Sequence, residues 1–137
     1  MFGALAFEKV SRYLALLGKK MEIDREKRVI RVHEKLNEEE VIVEIQFSKN
    51  WVVTYVTLGS IKELPDNKKL KILEKLLLLN RNYAEVCFGI DDQYNVYCEE
   101  DTLLEALTLD VFLEEYNAVL IAFELWEKEI MPIIKSS

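Results

Sequence analysis

Two cysteines, one histidine and three runs of carboxylates are the residues of this 137-residue chain whose types could do chemistry. Cys87 and Cys98 both fall in "AEVCFGIDDQYNVYCEED", the most hairpin-like stretch of the sequence. A disulfide would need the two to stand directly opposite each other. The alternation argues against that: Val86, Phe88 and Ile90 share one face of the first strand, Val96 and Cys98 one face of the second. Pairing Ile90 with Val96 sets Phe88 opposite Cys98 and Cys87 opposite Glu99, so the thiols point to opposite faces. Zinc takes about four ligands, which these cysteines and one distant histidine do not supply, and the C-x-x-C redox spacing is absent. Cys98 is therefore expected in the core, and Cys87 on the outer face as a free thiol.

His33 lies on an alternating strand among charged residues and is expected to be solvated. A nucleophilic site would need it beside a cysteine or serine with a third group to orient it, and no serine has a G-x-S-x-G setting. The acidic runs Glu38-Glu39-Glu40, Asp91-Asp92 and Glu99-Glu100-Asp101 lack the ligand spacing and turn glycine of a calcium loop. They read as turn residues. No glycine loop could cradle a phosphate. The expectation is a non-enzymatic chain without catalytic residues, metal or cofactor.

The net charge is -7 at pH 7, which disfavours nucleic acid and anionic membrane as partners. No apolar run reaches the roughly 18 residues of a membrane span. The opening "MFGALAFEKVSRYLALLGKK" is broken by Glu8, Lys9, Ser11 and Arg12 and reads as an amphipathic helix rather than a signal peptide. A cytoplasmic protein with reduced thiols is expected. With half of its residues hydrophobic, and no repeat, linker or low-complexity segment, residues 1–137 read as one domain.

The elements that position these residues follow from periodicity. Phe2, Ala6, Val10, Tyr13, Leu14 and Leu17 make one helical stripe, which Gly18 closes. A strand around Ile30 to His33 follows, and then "VIVEIQFS", where Val41, Val43, Ile45 and Phe47 alternate with Ile42, Glu44, Gln46 and Ser48. Lys49-Asn50 fits a two-residue hairpin loop with Asn50 at positive φ. That loop sets Phe47 opposite Val52, Ile45 opposite Thr54, Val43 opposite Val56 and Val41 opposite Leu58. The back of this hairpin collects Ile42, Trp51, Val53 and Tyr55. Either another element covers them or they form a binding surface.

Asp66, after Pro65, is a plausible N-cap for a helix over about 67–82. This helix is apolar on two sides: Leu70, Leu73 and Leu77 on one, Ile72, Leu76 and Leu79 on the other. Thr102 and Glu105 have capping-box spacing for a short turn. Thr108 is an N-cap for a last helix whose stripe runs through Phe112, Tyr116, Val119, Phe123 and Trp126 to Ile130, with Pro132 marking its end. The aromatics keep helical period, so they are core residues. The order is α-β-β-β-α-β-β-α, an α+β fold: an antiparallel five-stranded sheet with helices on one face.

One segment carries a family likeness. In "LLLLNRNYAEVCFGIDDQYNVYCEEDTLLEALTLDVFLEEYNAVL", the residues Leu79-Asn80, Phe88-Gly89-Ile90-Asp91, Val96 and Ala106-Leu107-Thr108 with Phe112 resemble the C-terminal half of YbjN-type proteins. The hairpin glycine usual in that group falls here at Tyr94 or Asn95. These proteins share the fold of type III secretion chaperones. The resemblance implies a chaperone-like or regulatory module, commonly dimeric, that holds a segment of an unidentified protein. On that expectation, Ile42, Trp51, Val53 and Tyr55 bind the partner, and Ile72, Leu76 and Leu79 form the homodimer interface. A small-ligand-binding regulatory domain is the alternative.

Overall fold

A computed structural model describes residues 2–137; the side chain of Phe2, expected in the first stripe, lies outside the described residues. The order is α1 (Phe2–Leu16), β1 (Lys20–Asp24), β2 (Val29–Leu36), β3 (Glu39–Phe47), β4 (Trp51–Ser60), α2 (Asp66–Asn82), β5 (Phe88–Ile90), β6 (Asn95–Leu103), a 3-10 turn (Leu104–Ala106), α3 (Leu109–Leu125), a π turn (Trp126–Ile130) and α4 (Met131–Lys135). The strands form one antiparallel sheet in the order β1-β2-β3-β4-β6-β5.

The sheet has six strands, not the expected five. The additional one is β1, which pairs with β2 from Lys20–His33 to Asp24–Val29. It is a sheet edge with no buried position, and its alternation is two apolar residues long: Met21, partly packed on the core, and Ile23 between Lys20, Glu22 and Asp24. Arg28, at φ 56, closes the turn into β2. The next turn uses Asn37 and Glu38, both at positive φ, as a two-residue I′ hairpin demands. The Lys49-Asn50 loop has its expected length, with Ser48 N–H donating to the Trp51 carbonyl at 2.8 Å. Asn50 is not at positive φ, however. The register is as expected at Phe47–Val52, Ile45–Thr54 and Val43–Val56.

One face of the sheet packs on the helices. Ile30, Val32, Val43, Ile45, Val52, Val56 and Cys98 meet Val10 and Leu14 of α1 and Phe112, Val119 and Ala122 of α3 in one core. Gly18 (φ 74) caps α1, with Lys19 N–H reaching the Leu14 carbonyl at 3.1 Å. Thr108 caps α3, accepting from Val111 N–H at 3.1 Å. Asp66 does not cap α2; Pro65 holds that position and Asp66 is the first helical residue, where its charge favours the helix dipole. Thr102 does not form a capping box either: its hydroxyl donates to Glu115. The last helix runs past Pro132 to Lys135. The π turn before it widens the coil, and Met131 N–H bonds the Trp126 carbonyl five residues back, which accommodates a proline ring and its missing N–H.

On α2 the stripe expected at an interface faces inward. Ile72, Leu76 and Leu79 are buried in the chain's own core. Leu70 and Leu77 are 65% and 70% exposed, with Leu78 exposed beside them. Ile72, Leu76 and Leu79 therefore cannot meet a second copy without unpacking the monomer, and the interface assigned to them is corrected on that ground.

Candidate functional site

The outer face of the sheet carries a strip along β4. Trp51, Val53 and Tyr55 point outward in succession, since Phe47, Ile45 and Val43 hold Val52, Thr54 and Val56 on the core side. Trp51 lies opposite Leu103 of β6, and both are exposed. Ile42 on β3 shares this face and is 44% exposed. Val53 and Tyr55 are half-buried between the neighbouring strands. Ile42 and Trp51 are left exposed by the described residues.

This strip is narrow and acidic at its edges. On the β3 side, Tyr55 lies opposite Glu44 and Val53 opposite Gln46; on the β6 side they lie opposite Glu99 and Asp101. Glu44 is the hub: Arg31 Nε donates to it at 2.8 Å, Gln46 Nε2 at 2.7 Å, and the Tyr55 hydroxyl also donates to it. Glu99 has no such partner among the described residues. Partial burial, and then repulsion from Asp101, push its carboxyl above the usual range.

Beyond Tyr55 the sheet forks. The β3–β4 ladder ends at Val43–Val56, and the expected Val41–Leu58 pair does not form. The register of β4 shifts at Thr57–Gly59, and the strand continues with β6 to Ser60–Asn95. β3 instead stays with β2 down to Glu39–Leu36. Between them opens a cleft of about 610 Å³, lined by Arg31, Ile42 and Tyr55 from the outer face and by Phe123, Trp126 and Met131 from the helices. Gly59 permits this: a Cβ there would stand 3.0 Å from the Trp126 ring.

The residues of possible chemistry are kept apart. Cys98 is buried opposite Phe88, and its thiol is pushed up to about 12 by burial. Cys87 is exposed and unpaired, with Glu99 N–H donating to its carbonyl at 3.2 Å. Burial and the nearby Glu100, Asp101 and Glu99 raise its thiol pKa too, which makes it a poor nucleophile at neutral pH. His33 is held between Glu40, at 2.6 Å, and Glu22, at 3.2 Å. The Glu40 contact foremost raises its pKa. Among the described residues, no three His, Cys, Asp or Glu side chains group as metal ligands.

One acidic group escaped the reading by composition. Glu99-Glu100-Asp101 lie within β6, not at a turn. Glu100 points to the core side, directly across from Thr54, and both Glu100 and Glu115 of α3 are buried. The alternation of Val96, Cys98 and Glu100 was the signal that could have found it.

The sequence motif of the hairpin also acquires a geometry. Asn80 at the end of α2 clamps Phe88: its Nδ2 donates to the Phe88 carbonyl at 3.0 Å, and its Oδ1 accepts from Phe88 N–H at 2.7 Å. Asp91 holds the turn by accepting from Gln93 N–H, Asn95 N–H and Asn95 Nδ2, all at 2.9 Å. Tyr94 takes the positive φ, at 59°, and packs under the Lys69 ammonium.

No family model and no curated protein matches the sequence. Solved structures do match the fold. A chain of the ExsC–ExsE complex superposes with a TM-score of 0.63 at 18% identity, covering 91% of this chain and 92% of that one. A chain of the HopA1–SchA chaperone–effector complex gives 0.59 at 14% identity, covering 89% and 94%. The Yersinia pestis type III secretion chaperone SycH, in complex with a fragment of YscM2, gives 0.53 at 10% identity, covering 83% and 92%.

Proposed function

We propose that this chain is a non-enzymatic, chaperone-like module that holds a segment of another protein on the outer face of its sheet. The observation that carries the reading is the uncovered strip of Trp51, Val53 and Tyr55 with Ile42 beside it. Aromatic side chains on an exposed sheet face suit the capture of a peptide segment. The fold supports the same reading, since the similar structures are of chaperones with partner proteins. The YbjN-type likeness, carried by Asn80, Phe88 and Asp91, is compatible with it. Separation of His33 from both thiols, and the raised thiol pKa values, speak against covalent catalysis. Two unpaired cysteines suit a reducing compartment such as the cytoplasm.

The module works as a homodimer in this reading. Leu70, Leu77 and Leu78 give α2 an apolar outer stripe that one chain leaves open. Contact through these residues buries leucines now in water and leaves the β4 strip free for the partner.

The test uses the native host's lysate and two proteins, the wild type and Trp51→Ala/Tyr55→Ala. Retention of one partner by the wild type, with hydrogen-exchange protection of β4, and its loss in a variant of unchanged melting temperature supports the reading. Equal capture by both proteins would remove the strip from the function.

A further inference from the structure

We propose that the fork between β3 and β4 is an anchor site for a lysine or arginine side chain carried on an extended peptide segment. The inference rests on the partner-holding reading and names the chemistry the partner must bring.

Three observations converge on it. Backbone edges come first. Residues 39–42 of β3 are paired only with β2, and Thr57, Gly59 and Ser60 of β4 only with β6, Leu58 being bulged out of the register. The two facing edges are not paired with each other, the arrangement to which an extended chain adds by backbone bonding.

The cleft's floor is the second. Met131 and Ile42 line it with aliphatic surface, beside Phe123 and Trp126, which are nearly buried. Methylene stems of lysine or arginine cover such surface while the charged tip stays near polar groups.

Charge is the third, and it sets the sign. Four carboxylates line the cleft: Glu39, Glu40, Glu44 and Glu127. The lining cation Arg31 is engaged by Glu44, and Glu40 is engaged by His33. Glu39 of β3 and Glu127 of the π turn, from different elements, have no cationic partner among the described residues. An anionic group entering here meets net repulsion; a cation balances both. The route to the cleft has the same sign, since Asp101 and Glu99 of β6 lie opposite Val53 and Tyr55.

The experiment titrates isotope-labelled protein with two capped tripeptides, acetyl-Val-Arg-Val-amide and acetyl-Val-Glu-Val-amide. The readout is the indole N–H resonance of Trp126, told from that of Trp51 by the spectrum of Trp51→Phe. The arginine peptide is expected to shift it saturably and to bind at least ~10-fold tighter than the glutamate peptide, a difference of about 1.4 kcal/mol. The variant Glu39→Gln/Glu127→Gln, with both changes outside the core, is expected to keep its melting temperature and lose most of that preference. Equal shifts by the two peptides, no saturable shift, or an unchanged preference in the double variant overturns the proposal. A wild type that captures its partner through Trp51 and Tyr55 yet ignores the arginine peptide refutes the anchor alone. Failure of partner capture with a positive peptide titration refutes the holding role instead.

Discussion

Thr54 stands directly opposite Glu100 across the β4–β6 ladder, on the face that α3 covers, and neither Thr54 Oγ1 nor Glu100 Oε1 has a hydrogen-bond partner among the described residues. Glu115 Oε1, on α3, is unpartnered as well. A buried carboxylate without a cation favours its neutral form. Burial first, and then the charges of Glu85, Glu115 and Asp101, push the Glu100 carboxyl up to about 7. Burial raises Glu115 too, against the lowering bond from Thr102.

The folded state thus holds a proton more tightly than the unfolded chain, whose carboxyl titrates near 4.5. Stability from this group is fully present below that value and is lost as pH rises through about 7. Thermal melts are expected to fall between pH 5.5 and pH 8 by roughly 3–8 °C, for about 1–2 kcal/mol. His33, also raised, contributes with the same sign. The variant Glu100→Gln isolates the carboxylate: it should flatten the slope and melt higher than wild type at pH 8. A slope unchanged by that substitution would assign the effect elsewhere.

The thiols differ in access. Cys87 is exposed and Cys98 is buried. Iodoacetamide is expected to add one group to the native protein and two after denaturation, read by intact mass without reductant. A denatured mass two hydrogens light, with no adduct, would mean a disulfide and a slipped hairpin register.

The two stripes of α2 separate folding from association. Leu77→Glu places a charge on an exposed position and should leave the melt nearly unchanged while turning dimers into monomers in sedimentation. Leu76→Glu places one where the side chain is 4% exposed and should unfold the chain, because the core offers the charge no partner. A wild type that sediments as a monomer at high concentration would sink the homodimer and leave the β4 strip untouched.

Asn80 ties α2 to the edge strand β5 through both polar atoms of its side chain. Asn80→Ala leaves the Phe88 amide and carbonyl without these partners and should cost about 2–3 kcal/mol in denaturant melts. Loss below about 0.5 kcal/mol would show that water replaces the clamp.

Local pattern alone carried the hairpins. Strict alternation and loop length set Phe47 against Val52 and Phe88 against Cys98, since a one-residue slip would turn every core residue outward. The caps at Gly18 and Thr108 were legible for the same reason: they depend on neighbours in the chain. Position in the assembled fold decided the rest. β1 is a short edge without buried positions, and the two apolar residues of its alternation, Met21 and Ile23, are too few to mark a strand without its partner β2. Leucine is equally apolar on both sides of α2, and only the seat of β5 and the C-terminal helix selects Ile72, Leu76 and Leu79 as the inner stripe. The fork arises where β4 leaves β3 and Trp126, from 67 residues further along the chain than Gly59, packs against that glycine. Pairing rules see one strand and its neighbour; contacts between distant segments decide which edges stay open and which carboxylates are shut in.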